Sequence, residues 1–120
     1  MIVAVIGSRN FSDYTLLEST LASLPGITGI ITGGARGADS LAEIYAGQYG
    51  LPIAVLKPDW EKYGMSAGVV RNRQIIDAAE MVVAFWDGVS RGTASSLKLA
   101  KAKGIPIQTV IIGQDEREIG

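Results

Sequence analysis

The chain contains no cysteine and no histidine. The first absence excludes disulfides, thiolate metal cages and a cysteine nucleophile. The second excludes imidazole metal ligands and any Ser-His-Asp triad. No metal site is expected, and chemistry falls to carboxylates, hydroxyls, Lys, Arg, backbone amides or a bound ligand. Neither sign of charge is in excess: 11 Lys plus Arg stand against 12 Asp plus Glu, a net charge of −1. Duplex DNA, which calls for a broad basic field, is not an expected partner. Long apolar runs are also missing. Met1 to Ile6 is apolar but ends at Gly7-Ser8-Arg9 with no basic region ahead of it, so neither a signal peptide nor a membrane span is expected. With no cysteine to argue for an oxidising compartment, the expected location is the cytoplasm.

What is present is a globular balance of 48% apolar and 19% charged residues over 120 positions, enough for one core. Short runs rich in Val and Ile recur at Ile2–Ile6, Thr28–Thr32, Pro52–Leu56, Met81–Trp86 and Pro106–Ile112. None is broken by polar alternation, the pattern of strands buried on both faces. Helical stretches lie between them. One begins near Ser12, carries the stripe Tyr14, Leu17, Leu21 and Leu24, and stops at Pro25-Gly26. A second begins near Gly37, with Ala38, Leu41, Ala42, Tyr45 and Tyr49 on one face, and closes at Gly50. A third covers Ser66 to Ala79, and a fourth runs from near Thr93 to Lys103. Strict strand–helix alternation predicts an α/β fold: a single Rossmann-like, three-layer domain over residues 1–113, with a five-stranded parallel sheet in the order 3-2-1-4-5 and helices on both faces. Residues 114–120 read as a polar tail.

Ligands in such folds bind beyond the carboxyl ends of the strands. That edge receives Gly7, Ser8 and Arg9 after the first strand, and Gly33, Gly34, Ala35, Arg36, Gly37 and Asp39 after the second. Pro58, Asp59 and Trp60 follow the third strand, and Asp87, Ser90, Arg91, Gly92 and Thr93 the fourth. Arg9, Arg36 and Arg91 thus follow three different strands at one edge, and Arg71 and Arg73 sit early in the third long helix. Arginines beside helix starts and glycine-flanked amides suit a phosphate or carboxylate. They also pair readily with acids such as Asp39 or Asp87, and glycines in tight turns are common. Asn72 falls in the middle of the inward stripe Val69, Ile75, Ile76 and Ala79, where a buried amide needs a backbone or ligand partner. The connection from Lys57 to Ser66 is longer than the usual two to six or so residues. Its Trp60 and Tyr63 suit stacking on a base, or equally a groove filler or subunit contact. Trp86 reads as core, and Lys98, Lys101 and Lys103 as a solvated helix face.

In this order, Gly7-Ser8-Arg9, Thr32-Gly33-Gly34-Ala35-Arg36-Gly37-Ala38-Asp39, Pro58-Asp59-Trp60, Gly68 with Arg71-Asn72-Arg73, and Ser90-Arg91-Gly92-Thr93 resemble the SLOG superfamily of Rossmann-like domains, most closely its YspA-type family. The resemblance implies binding of a nucleotide or nucleotide derivative as a sensor or processing domain, with no cofactor required and a homodimer as a common arrangement. Arg36, Arg91 and the amides around Gly33, Gly34, Gly92 and Thr93 would take phosphate. Ser8 and Arg9 would line the floor, and Pro58, Asp59 and Trp60 the base or ribose side. DprA/Smf proteins, which bind single-stranded DNA, carry segments similar to Ala35-Arg36-Gly37 and Arg71-Asn72-Arg73. LOG phosphoribohydrolases carry a Gly-Gly-x-Gly-Thr-x-x-Glu motif, whose closing glutamate is Ser96 in this chain. A hydrolase reading therefore needs Asp87 or Asp59 as a substitute acid, and binding without catalysis is the expectation.

Overall fold

Valine and isoleucine, stiff at Cβ and suited to a pleated surface, build the strands β1 (Ile2–Gly7), β2 (Gly29–Thr32), β3 (Ile53–Val55), β4 (Met81–Trp86) and β5 (Ile107–Ile111). The computed structural model describes residues 1–113, so the tail expected at 114–120 lies outside the described residues. All four strand pairings are parallel, in the order β3-β2-β1-β4-β5. The central position of β1 is visible in its register, where Ala4 faces Ile31 on one side and Val82 on the other. The chain winds outward through β2 and β3 and then returns to the far side of β1. The crevice at this reversal lies between the carboxyl ends of β1 and β4.

Alternation along the strands feeds two cores. On one face Val3, Val5, Ile30, Val83 and Phe85 pack with Leu17 and Leu21 of α1 (Tyr14–Ala22) and Ala42, Tyr45 and Ala46 of α2 (Ala38–Tyr49). Phe11 stacks on Phe85 with centroids 4.8 Å apart. On the other face Ala4, Ile6, Ile31, Val82 and Ala84 pack with Ile75 and Ile76 of α4 (Ala67–Ala78) and Ala100 of α5 (Arg91–Lys103). The two edge strands differ from the expected burial on both faces. Ala54 in β3 and Ile107, Thr109 and Ile111 in β5 are exposed, because an edge strand has a neighbour on one side only and the helices cover its outer margin incompletely.

Two helix starts, those of α1 and of a short helix after β3, are capped by aspartates. The Asp13 carboxylate accepts from Leu16 N at 3.0 Å at the start of α1. The stretch from Lys57 to Ser66 was expected as an open loop, but it contains α3 (Trp60–Tyr63) and a 3-10 turn (Gly64–Ser66). Its nucleus is Asp59, whose carboxylate accepts from Lys62 N at 3.1 Å. α5 begins at Arg91, with Ser90 rather than Thr93 in the capping position. Lys103 is not simply solvated: its ammonium donates to the carbonyls of Ile76, Asp77 and Ala79 at 2.8–2.9 Å, closing the end of α4. Val69 points away from the core, and Tyr49 leaves the buried stripe of α2 to stack on Tyr45 and donate to Glu18 Oε2 at 2.9 Å. No helix among the described residues is long and apolar enough to cross a membrane.

Candidate functional site

An inner cavity of about 470 Å³ occupies the crevice between β1 and β4. Its lining includes Ile6, Gly7, Ser8, Arg9 and Asn10 from the end of β1, Gly33, Ala35 and Asp39 from the β2–α2 connection, and Arg71, Asn72 and Ile75 from α4. Asp87, Ser90, Arg91, Gly92, Thr93 and Ser96 complete it from the β4–α5 side. An outer cavity of about 870 Å³ adjoins it, sharing Arg9, Arg71, Asn72 and Arg91 and adding Gly34, Arg36, Lys57, Pro58, Trp60, Met65 and Val69. Most of the residues proposed from the sequence converge here. Arg73, Gly37 and Asp59 line neither cavity. Arg73 is exposed on the next step of α4, and Asp59 is occupied as the cap of α3. Gly37 packs the start of α2 against the β1–α1 loop. A Cβ there would lie 2.2 Å from Ser8 O, and its φ is +81°, so only glycine fits.

The β2–α2 loop carries its own anion. Asp39, 6% exposed, turns back so that Oδ2 accepts from Gly33 N at 3.1 Å and Ala35 N at 3.2 Å. Two amides expected to face a phosphate are therefore already engaged. Burial raises the Asp39 pKa; the loop amides, Thr32 and the Arg71 charge pull it back down. Arg71 braces the same loop from α4, donating through Nη1 to Gly33 O at 2.7 Å and through Nε to Asn72 Oδ1 at 2.9 Å. A Cβ on Gly33 would come within 2.6 Å of Arg71 Nη1, so glycine makes room for this contact. Burial lowers the Arg71 pKa, Asp39 opposes that, and the nearby Arg9 charge adds to it. Asn72, expected to bind a backbone group or a ligand, accepts from Arg71 through Oδ1 and lines both cavities.

Asp87 is a loop organiser. Its Oδ1 accepts from Val89 N at 2.9 Å and Ser90 N at 2.7 Å, and its Oδ2 from Ser90 Oγ at 2.8 Å. These bonds, Val89 first, hold its carboxyl down at about 2. Ser8 Oγ lies 3.3 Å from Ser90 Oγ and accepts from Asp87 N at 3.0 Å. Trp86, half-buried rather than core, donates through Nε1 to Ser90 O at 3.1 Å and pins the same loop.

The start of α5 is different. Its first intrahelical bond runs from Ala94 N to Ser90 O, and no side chain among the described residues caps the preceding amides of Arg91, Gly92 and Thr93. Thr93 and Ser96, one turn apart, are 6% and 4% exposed and line the inner cavity. Neither hydroxyl is paired with another described residue, and both open onto the cavity. Arg9 and Arg91 have no hydrogen bond or ion pair among the described residues either. The inner cavity is thus rich in unused donors, and both of its carboxylates are already hydrogen-bonded within their own loops.

The family model for the YspA, cpYpsA-related SLOG family matches residues 1–63, the half of the chain that carries β1, the β2–α2 loop and the approach to α3. The chain belongs to that family. Over 116 residues it is 36% identical to the Gene 61 protein of Mycobacterium phage D29, across 88% of this chain and 92% of the phage protein. No solved structure matches it. Within this SLOG domain Ile75 and Val69 were expected as core stripe, Lys57 only as the start of a long connection, and Met65 had no expected role. Lys57 was legible as the first residue beyond the apolar run that ends at Leu56, and Met65 and Val69 as a pair four apart. Ser96 was noted only for the acid it replaces; its buried hydroxyl needed coordinates.

Proposed function

We propose that the protein binds a nucleotide, or a phosphorylated derivative of one, with its phosphate on the first turn of α5. The observation that carries this reading is the pair of buried, unpaired hydroxyls, Thr93 and Ser96, beneath an uncapped helix start. A phosphate presents only acceptor oxygens and negative charge. The free amides, the helix dipole, the two hydroxyls and the Arg9 and Arg91 guanidiniums all complement it. SLOG membership is consistent with nucleotide-related binding or processing. The role is binding rather than N-glycosidic hydrolysis. That reaction calls for a carboxylate beside the anomeric carbon, whereas Asp39 and Asp87 are tied to their own loops and position 96 is neutral.

Thermal unfolding with added ligand tests the proposal, since a compound that binds only the native state raises its midpoint. Nucleoside 5′-monophosphates should raise it, and the matching nucleosides should not. Thr93→Val with Ser96→Ala, and separately Arg91→Ala, should weaken binding about tenfold or more. An unchanged affinity in both variants would overturn the assignment. Tighter binding of a single-stranded oligonucleotide than of any mononucleotide, with a steep salt dependence, would replace it with a strand-binding role.

A further inference from the structure

The outer cavity holds two cations that a single phosphate on α5 leaves unanswered. Arg36 and Lys57 line it, come from two adjacent connections, and are absent from the inner lining. Both are exposed and have no hydrogen bond or ion pair among the described residues. Among the described residues no Asp or Glu lines this cavity. The same cavity has an apolar margin of Trp60, Met65 and Val69, exposed by 60%, 99% and 55%. The two cavities are continuous through Arg9, Arg71, Asn72 and Arg91, which line both. One ligand spanning them would meet, in order, the donor-rich start of α5, a bridge of arginines, a second cationic edge and an aromatic face.

Resting on the nucleotide reading above, we propose that the ligand carries two separately held phosphate groups. One sits on the first turn of α5 and the other between Arg36 and Lys57, with the base against Trp60. A mononucleotide would leave both outer cations without a counter-charge in a site already crowded with arginines. A second phosphate neutralises them and turns like-charge repulsion into paired hydrogen bonds. Trp60 offers a planar face for a base, and Met65 a polarisable contact beside it. The second phosphate can belong to a 5′-diphosphate or to a 3′,5′-bisphosphate; the two share the chemistry that Arg36 and Lys57 would recognise.

Titration calorimetry on the full chain separates the possibilities. Adenosine, guanosine, cytidine and uridine would each be supplied as 5′-monophosphate, 5′-diphosphate and 3′,5′-bisphosphate, with inorganic pyrophosphate as the base-free control. One class of two-phosphate nucleotide should bind about tenfold or more tightly than its monophosphate and than pyrophosphate. Arg36→Ala with Lys57→Ala should erase that margin while leaving the monophosphate affinity within about twofold. Both residues are exposed, so an unchanged melting temperature without ligand confirms that the variant folds. Monophosphates binding as tightly as both two-phosphate classes, or a margin that survives in the double variant, would overturn the second subsite and leave the α5 phosphate site standing. Absence of binding by every phosphorylated compound would overturn both.

Discussion

Two carboxylates at the crevice pull stability in opposite directions with pH. Burial raises the Asp39 pKa above its ordinary 3.8. Folding therefore favours its protonated form, and the stability this brings is full at low pH and lost as pH rises through the folded-state value. The Asp87 carboxyl, held at about 2 by Val89 and Ser90, behaves in the reverse sense. Its contribution is present above 3.8 and disappears as pH falls toward 2. Urea midpoints measured from pH 2 to 7 should show Asp39→Asn flattening the falling limb above about pH 4. Asp87→Asn should flatten the rising limb below it. If neither slope changes, these two groups are not the ones that couple folding to protons. The sequence placed both acids at the correct edge but could not reveal their roles. Whether a carboxylate six residues after Gly33 faces a ligand or its own loop depends on a backbone path that spacing alone does not specify. The same limit applies to Arg36, Arg71 and Arg73. Two of them lie two steps apart on α4, yet only Arg71 enters the cavities.

The long elements were legible because their signals reinforce each other. Apolar stripes mark α1, α2, α4 and α5, and glycine or proline stops agree with them for α1, α2 and α5, with ends shifted by one or two residues. Short α3 was not legible, because four residues carry no periodicity and its one strong signal, Asp59, looked equally suited to a ribose hydroxyl. Edge exposure in β5 escaped for a related reason: an apolar run reads the same whether one helix or two cover it. Lys103 shows how an element can be completed from outside itself. Its ammonium answers three carbonyls at the end of α4, where the helix dipole also favours a cation. Lys103→Met keeps the stem and removes the charge. It should cost about 1 kcal/mol in denaturant unfolding, and a loss under about 0.3 kcal/mol would show the tie to be ornamental.

Across the whole molecule, a near-neutral chain is internally polarised. Among the described residues Arg9, Arg36, Lys57, Arg71 and Arg91 line the two cavities, against only Asp39 and Asp87 of the acids. The rest of the surface is correspondingly acidic. Such a distribution attracts a small anion to one edge while offering no extended basic face to a duplex. Raising salt from 50 to 500 mM should weaken nucleotide binding only several-fold. Fluorescence anisotropy should find no duplex DNA binding at physiological salt. A steep salt slope, or retained duplex, would contradict this charge layout. The Lys103 contacts also join α4 and α5 at their C-terminal ends, while Asn72 in the middle of α4 and Thr93 in the first turn of α5 line the inner cavity. A ligand held in that cavity would therefore bear on two helices already clasped to each other at their far ends. Amide hydrogen exchange in their last turns should slow together when nucleotide is added, and Lys103→Met should uncouple them.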